Sequence, residues 1–275
     1  RRMVTSMASL TGIHPTAVVD PHAHLGVDVV VGPCAVIEAG ARIGDRVRIG
    51  ASAFVSAVCE IGPDCVIDVG AVLGGRAQIR GLSGEGGRVV VGARNEIREH
   101  VTIHRASQPG RATVLGDDNL LLAGCHIAHD CRVGHRTTIA NGVRLAGHVE
   151  IGDGAFLSGN VLVHQFTRIG ALAMVSGQAR ISRDVPPFAV AIGDSEVCGV
   201  NVVGMRRAGM SSEARLNARR VYTAVYRAVR TATKAVALLR TLPPTPESEQ
   251  WLAFLQSSAR GMCAPRRRHH AHRQS

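Results

Sequence analysis

The chain has 275 residues, 45% of them hydrophobic, and a net charge of +11. That apolar content supports a substantial core and excludes disorder throughout. Only five Phe, two Tyr and one Trp stand against 31 Gly, so Val, Ile, Leu and Ala must fill an interior of small cross-section, which argues against an ordinary two-layer domain.

Lys234 is the only lysine, so Arg or His must make any phosphate or carboxylate contact. The basic excess suits an acidic partner such as nucleic acid, anionic lipid, a nucleotide sugar or an acidic protein, and composition does not choose among them. The few aromatics provide no stacking platform for nucleic acid. No apolar run approaches the roughly 20 residues that span a bilayer, and 1–7 lacks the apolar stretch of a secretory signal. The sequence reads as a soluble cytoplasmic protein without stable membrane insertion. Its seven cysteines follow no paired framework and fit reduced thiols.

After an N-terminal tail, 1–10, steps of six from Ile13 land on Ile13, Val19, Leu25, Val31, Ile37, Ile43, Ile49, Val55, Ile61, Ile67 and Leu73. The phase resumes at Val91, Ile97 and Ile103 and runs from Leu115 to Ile181, often with Gly following the aliphatic. Six helical steps of about 100° return roughly 120° off, so this period is not helical. Three hexads instead close one triangular turn of a parallel β-helix, expected over 11–190. Two residues before each aliphatic lies a second inward position of small residues, including Cys59, Cys65, Cys125 and Cys131, which read as packing groups.

Glu85 and Pro109 break the aliphatic rule and mark loops near 74–88 and 104–113. The repeat ends at Asp184, Val185, Pro186 and Pro187. A C-terminal helical domain, 191–264, follows. Helical spacing predicts one helix from about Ser211 to Leu242, with Ser211 or Ser212 as N-cap, and a shorter one over Glu247 to Ala259. A basic tail, 265–275, reads as disordered.

His126, His129, His135, His148 and His164 gather in the best-ordered repeats. Residues eighteen apart stack about 4.8 Å apart on successive coils, which puts Gly147 beside His129 and His148 beside Asp130. An outward His129 next to a glycine suits general-base catalysis with an amide N–H as oxyanion donor. Solvated corner histidines are the plain alternative. Metal ligation by neighbouring histidines is a further one, but no outward carboxylate or thiolate completes a recognisable ligand set, so no metal is assigned.

The segments CHIAHDCRVG from Cys125, LAGHVEIGDGAFLSG, VLVHQFTRIG, DVPPFAVAIGD and GVNVVGMRRAGMS closely resemble the UDP-N-acetylglucosamine O-acyltransferases that begin lipid A synthesis. The similarity runs from Ile13 to Phe254. It implies a left-handed parallel β-helix with a C-terminal α-helical domain, assembled as a homotrimer with sites between subunits. The implied reaction moves an R-3-hydroxyacyl chain from acyl carrier protein to the 3-hydroxyl of UDP-N-acetylglucosamine. No cofactor is implied, since 4'-phosphopantetheine arrives on the carrier. By matching position, His129 is the general base, Asp130 its orienting group and Gly147 the oxyanion donor. Gln78, His126, His148, His164 and Gln165 line the substrate sites, Asn201, Arg206 and Arg207 contact the nucleotide, and Met174 and Gly177 mark where acyl length is measured. A glycine at 177 predicts a long chain. Arg215, Arg219 and Arg220 are candidates to receive the acidic carrier.

Three departures stand out. The family's Gln-Asp-Leu-Lys-Tyr loop reads Gln78, Ile79, Arg80, Gly81, Leu82, so the Asp and Lys are absent, and Arg80 is the available cation. Val203 stands where glutamate is common, and Ala208 replaces a basic residue. Acylation of a different nucleotide sugar, at oxygen or nitrogen, therefore stays open, as do a metal-dependent hydratase and a non-catalytic β-helix scaffold.

Overall fold

The computed structural model describes residues 12–228 and 231–266; the expected N-terminal tail and most of the basic C-terminal tail lie outside them. Strands mostly two residues long wind into a left-handed coil with three flat faces, each a parallel sheet. The first face runs from Val18–Val19 to Arg180–Ile181, the second from His24–Leu25 to Arg168–Ile169, and the third from Val30–Val31 to Met174–Val175 and on into Ala189–Ile192.

The six-residue rule has a direct cause in this geometry. In each strand pair one side chain points out and the next points in, and successive coils bring like residues into register. On the first face the inward column reads Ile37, Val55, Leu73, Ile103, Ile127, Leu145, Val163 and Ile181, each 3% exposed or less. Burial of such a side chain is worth about 1.5–3 kcal/mol, so the column itself drives the winding. Ile13 departs from the expected pattern at 51% exposed, because it stands at the open end of the coil among the described residues.

The small positions are filled as expected. Cys59, Cys65, Cys125 and Cys131 are buried, and burial raises their thiols, to about 12 at Cys59 and Cys131 and about 11 at Cys125. All seven cysteines are free. In the lower coils the polar interior groups pair with one another: Asn119 donates to Asn95 Oδ1 at 3.0 Å, and Thr137 donates to Asn119 Oδ1 at 2.7 Å, whereas buried Thr167 Oγ1 has no partner among the described residues.

Two insertions leave the coil at the same corner, between the first and second faces. One connects Val72–Gly75 to Arg88–Val91, and the other connects Thr102–His104 to Ala112–Leu115. They also reset the spacing, since Thr102 pairs with Val72 below and His126 above, 30 and 24 residues away.

Beyond the coil, an antiparallel hairpin of Ala189–Ile192 and Glu196–Val200 leads into α1 (Val202–Arg207), a helix that the spacing did not announce. The single helix expected to Leu242 is instead two, α2 (Ser212–Ala228) and α3 (Ala232–Leu239), because Thr231 starts a new helix by accepting from Lys234 N–H. Ser211 is the N-cap of α2, accepting from Ala214 N–H at 3.1 Å. The last helix, α4 (Pro246–Gln256), opens with a Thr245 and Ser248 capping box and ends short of the expected Ala259.

Phe188, Tyr222, Tyr226, Trp251 and Phe254 all belong to this domain's cluster, whereas the coil interior is aliphatic. Arg168 joins the two parts: its guanidinium lies 4.5 Å over the Phe254 ring and donates to Phe254 O and Ser257 Oγ. The tail expected to be disordered from Pro265 is held over its first two residues, because Ala264–Pro265 pairs with Glu196 and Val197, and Arg266 N–H reaches Val197 O. Among the described residues no helix is long and apolar enough to cross a membrane.

Candidate active site

The corner between the first and second faces carries the histidine row. In successive coils it holds Ala128–Asp130, then Ala146–His148, then His164–Phe166, directly above the two insertions. Asp130, His148 and Phe166 each adopt φ of 61–63° at the same step of the turn. This left-handed step recurs around the coil and turns the chain sharply at the corner.

His129 Nδ1 lies 2.8 Å from Asp130 Oδ2. Ser107 N–H, from the second insertion, donates to the same oxygen at 3.1 Å, and Asp130 N–H donates to Thr113 Oγ1 at 2.8 Å. Burial pushes the Asp130 carboxyl up, but hydrogen bonds from Ser107 and His129 and the nearby His148 outweigh it, so the group stays below the usual aspartate value and is anionic at neutral pH. An anionic carboxylate only accepts, so His129 donates from Nδ1 and keeps its lone pair on Nε2.

That Nε2 edge abuts Gly147. A Cβ built on Gly147 would stand 2.5 Å from His129 Cε1 and 2.6 Å from Nε2, so only glycine fits. Ala146 N–H and His148 N–H donate to Val163 O and His129 O, whereas Gly147 N–H has no acceptor among the described residues. An imidazole edge and a backbone N–H without an acceptor thus lie side by side at this corner, the two kinds of group acyl transfer requires as base and oxyanion donor.

His148 lies with Nε2 3.8 Å from Asp130 Oδ2, and its ring stacks on Phe166 at 4.5 Å with planes 9° apart. Burial lowers its pKa. His126 takes the first face one step before this corner. Its Nδ1 is 2.7 Å from Thr102 Oγ1, and burial, together with the charges of His104 and Arg144, brings its pKa down to about 4. His104, buried, packs edge-on against His126 at 4.9 Å, and burial lowers its pKa too. These imidazoles are neutral at neutral pH.

His164 and Gln165 stand one coil further along the same corner, where His164 lines a groove of about 450 Å³ with Arg144, Leu162 and Arg180. His135 does not join the row. It sits at the next corner, accepting Asp117 N–H at 2.9 Å, a structural role. Gln78 lies exposed on the first insertion. The reading that no carboxylate completes a ligand set is corrected: Asp130 stands between His129 and His148, with one donor atom from each within 4.8 Å of the others.

The remaining candidates collect elsewhere. Met174, Asn201 and Arg207 line a groove of about 1150 Å³ between the third face and helices α1 and α4, together with Arg136, Phe156 and Leu172. Asn201 builds it by capping α1 through Gly204 N–H and donating to Leu172 O. Val203 and Ala208 line it as well, while Arg206 does not. Gly177 sits at the edge of the third face, with space beside its Cα. In a triangular coil the third face lies across the core from the histidine corner, so one chain does not bring these two groups together. In the helical domain Arg219, Arg220 and Arg227 line a groove of about 570 Å³ with Leu216 and Leu238, whereas Arg215 is spent on Met210 O and Ser212 Oγ.

Sequence reading missed Thr102, His104, Ser107, Thr113 and Phe166. Phe166 was within reach, being eighteen residues after His148. So was Thr113, eighteen residues before Cys131 with no insertion between them. Thr102, His104 and Ser107 were not, because eighteen-residue counting back from His126 lands on Gln108, while the insertion makes Thr102 the true neighbour.

A hexapeptide coil with a histidine, an aspartate and a free amide at one corner defines an acyltransferase of the hexapeptide-repeat class. Comparison with known proteins carries this further. Residues 112–147 match the bacterial transferase hexapeptide model, and 184–263 match the model described as UDP N-acetylglucosamine O-acyltransferase, domain 2. The chain is 45% identical over 256 residues to the acyl-[acyl-carrier-protein]–UDP-N-acetylglucosamine O-acyltransferase of Halorhodospira halophila, covering 92% of this chain and 99% of that one. Its fold is similar to the UDP-N-acetylglucosamine acyltransferases of Bacteroides fragilis (TM-score 0.85, 35% identity, 90% and 98% covered) and Campylobacter jejuni (TM-score 0.86, 31% identity, 93% and 100% covered). The chain belongs to the acyl-[acyl-carrier-protein]–UDP-N-acetylglucosamine O-acyltransferase family.

Proposed function

We propose that this chain transfers an R-3-hydroxyacyl group from acyl carrier protein to the 3-hydroxyl of UDP-N-acetylglucosamine, the opening step of lipid A synthesis, in the cytoplasm. The observation that carries the reading is the juxtaposition of the His129 Nε2 edge with Gly147, whose N–H has no acceptor among the described residues, and of Asp130 with His129 Nδ1. His129 Nε2 takes the proton of the sugar hydroxyl as its oxygen attacks the thioester carbonyl. The oxyanion receives Gly147 N–H. Collapse breaks the C–S bond, and the imidazolium returns the proton to the departing pantetheine thiolate. Neutral His126 and His148, with His164 and Gln165, line the reacting groups, and Asn201 and Arg207 hold the nucleotide.

Because the nucleotide groove and the base lie on opposite sides of one coil, the working site pairs the histidine corner of one copy with the third face of another. Such a corner-to-face contact is heterologous, and repeating it about a three-fold axis closes it as a homotrimer ring. Phe156, Leu162 and Phe166, all exposed in the single chain, provide apolar surface for it. The Arg219, Arg220 and Arg227 groove suits the acidic carrier.

The test is acyl transfer from 3-hydroxyacyl carrier proteins of several lengths to UDP-N-acetylglucosamine and to its 3-amino analogue. Turnover of the former, lost by a factor of hundreds or more in His129→Ala, is the expected result. Turnover of the amine alone, or none, overturns it.

A further inference from the structure

We propose that the histidine corner is also a binding site for a divalent cation of the zinc class, held by Asp130 Oδ2, His129 Nδ1 and His148 Nε2, and that occupancy switches transfer off. The switching half rests on the general-base reading above; the binding half does not.

The donor set is that of a three-ligand zinc site with an open position, two imidazoles and a carboxylate. Zinc with bonds of about 2.0–2.1 Å holds tetrahedral ligands roughly 3.3 Å apart. Here Nδ1 to Oδ2 is 2.8 Å and Nε2 to Oδ2 is 3.8 Å, which bracket that separation. Shifts of about half an ångström, within ordinary side-chain motion, bring both to it.

The ligands are also held from behind, as metal ligands usually are. Ser107 N–H fixes the carboxylate and Thr113 Oγ1 fixes the Asp130 backbone. Phe166 stacks on His148, and the His129 and His148 rings pack edge to face at 87° with centroids 5.2 Å apart, so each is braced by a neighbouring ring, while their donor atoms and that of Asp130 lie within 4.8 Å of one another. Arg111 is the cation acting on His148 and opposes binding; the charge of Asp130 acts the other way. Neighbouring thiols do not compete, because Cys125 and Cys131 face the coil interior.

The chemical consequence follows from the tautomer. Coordination through His129 Nδ1 requires that nitrogen's proton to leave, and the ring regains one at Nε2 from solvent. The lone pair that accepts the sugar proton is then gone. A bound cation of this kind is a reversible inhibitor.

The experiment is calorimetric titration of zinc chloride, with cobalt chloride as the spectroscopic probe. It uses full-length chain in which His269, His270 and His272 are alanine, so that metal taken up by a cluster of histidines in the tail does not enter the titration. One zinc per chain is expected, with a cobalt spectrum of tetrahedral type. Near-isosteric Asp130→Asn and His148→Gln each weaken binding about tenfold or more. Acyl transfer falls as the site fills and returns with a chelator. No saturable binding, or binding unchanged in both variants, overturns the site; binding with undiminished turnover overturns the switch. If metal-free protein fails to acylate UDP-N-acetylglucosamine, the functional reading falls instead, and the calorimetric arm still decides the site.

Discussion

The histidine corner and the third-face groove are built on opposite principles. At the corner the repeat itself assembles the side chains: Asp130 and His148 are one coil apart and meet because register leaves them no other place. The groove is made where the repeat stops, by a hairpin and helices laid against outward side chains of Thr138, Phe156 and Met174. The corner is rigid and prepaired by hydrogen bonds before any ligand arrives. The groove is wide, mostly apolar and supplies a few charged contacts, so it suits selection of substrate more than chemistry. Substitutions at the two places should therefore act on different constants.

The largest effect is expected at the corner. His129→Ala should lower kcat by hundreds-fold or more with little change in KM, in steady-state transfer assays. Gly147→Ala comes next. Its methyl would meet the His129 ring at about 2.5 Å, so the ring must move, and kcat should fall by about a hundredfold or more while far-UV circular dichroism stays unchanged. Either variant that instead raises KM alone would break the contrast.

In the groove, Arg207→Ala should cost roughly 10- to 100-fold in kcat/KM, mostly through KM for the nucleotide sugar, for loss of a charge-assisted contact. Smaller still, Gly177→Met should leave total turnover within a few-fold and move donor preference to shorter acyl chains. Gly177 has ordinary backbone and room for a Cβ, so the added side chain projects without strain.

The last effect concerns stability. His126, near 4 in the fold, and His104 and His148, also lowered, bind protons more weakly folded than unfolded, where the ordinary value is about 6.5. Their contribution is fully present above pH 6.5 and is lost as pH falls from there toward about 4. Thermal unfolding should show Tm dropping over that window, and less steeply in His126→Asn.

The same contrast marks how far the sequence could be read. Period six determines the coil, the inward columns and the stacking of Gly147 on His129, because strand register is arithmetic. It failed where insertions altered the count, hiding Thr102 and His104, and where a helix boundary rested on Thr231 rather than on spacing. The groove carries no period at all. Asn201 and Arg207 were visible only through the resemblance, and nothing in spacing put Arg136 or Glu247 beside them.

The claim that joins the two regions is that each site takes its base from one copy and its nucleotide groove from another. Co-refolding His129→Ala chains with Arg207→Glu chains tests it, since each alone lacks one half. Random mixing in a ring of three leaves both halves intact at about a quarter of the interfaces, so the mixture should recover about a quarter of wild-type transfer. Recovery no greater than the sum of the separate variants would contradict a site divided between copies.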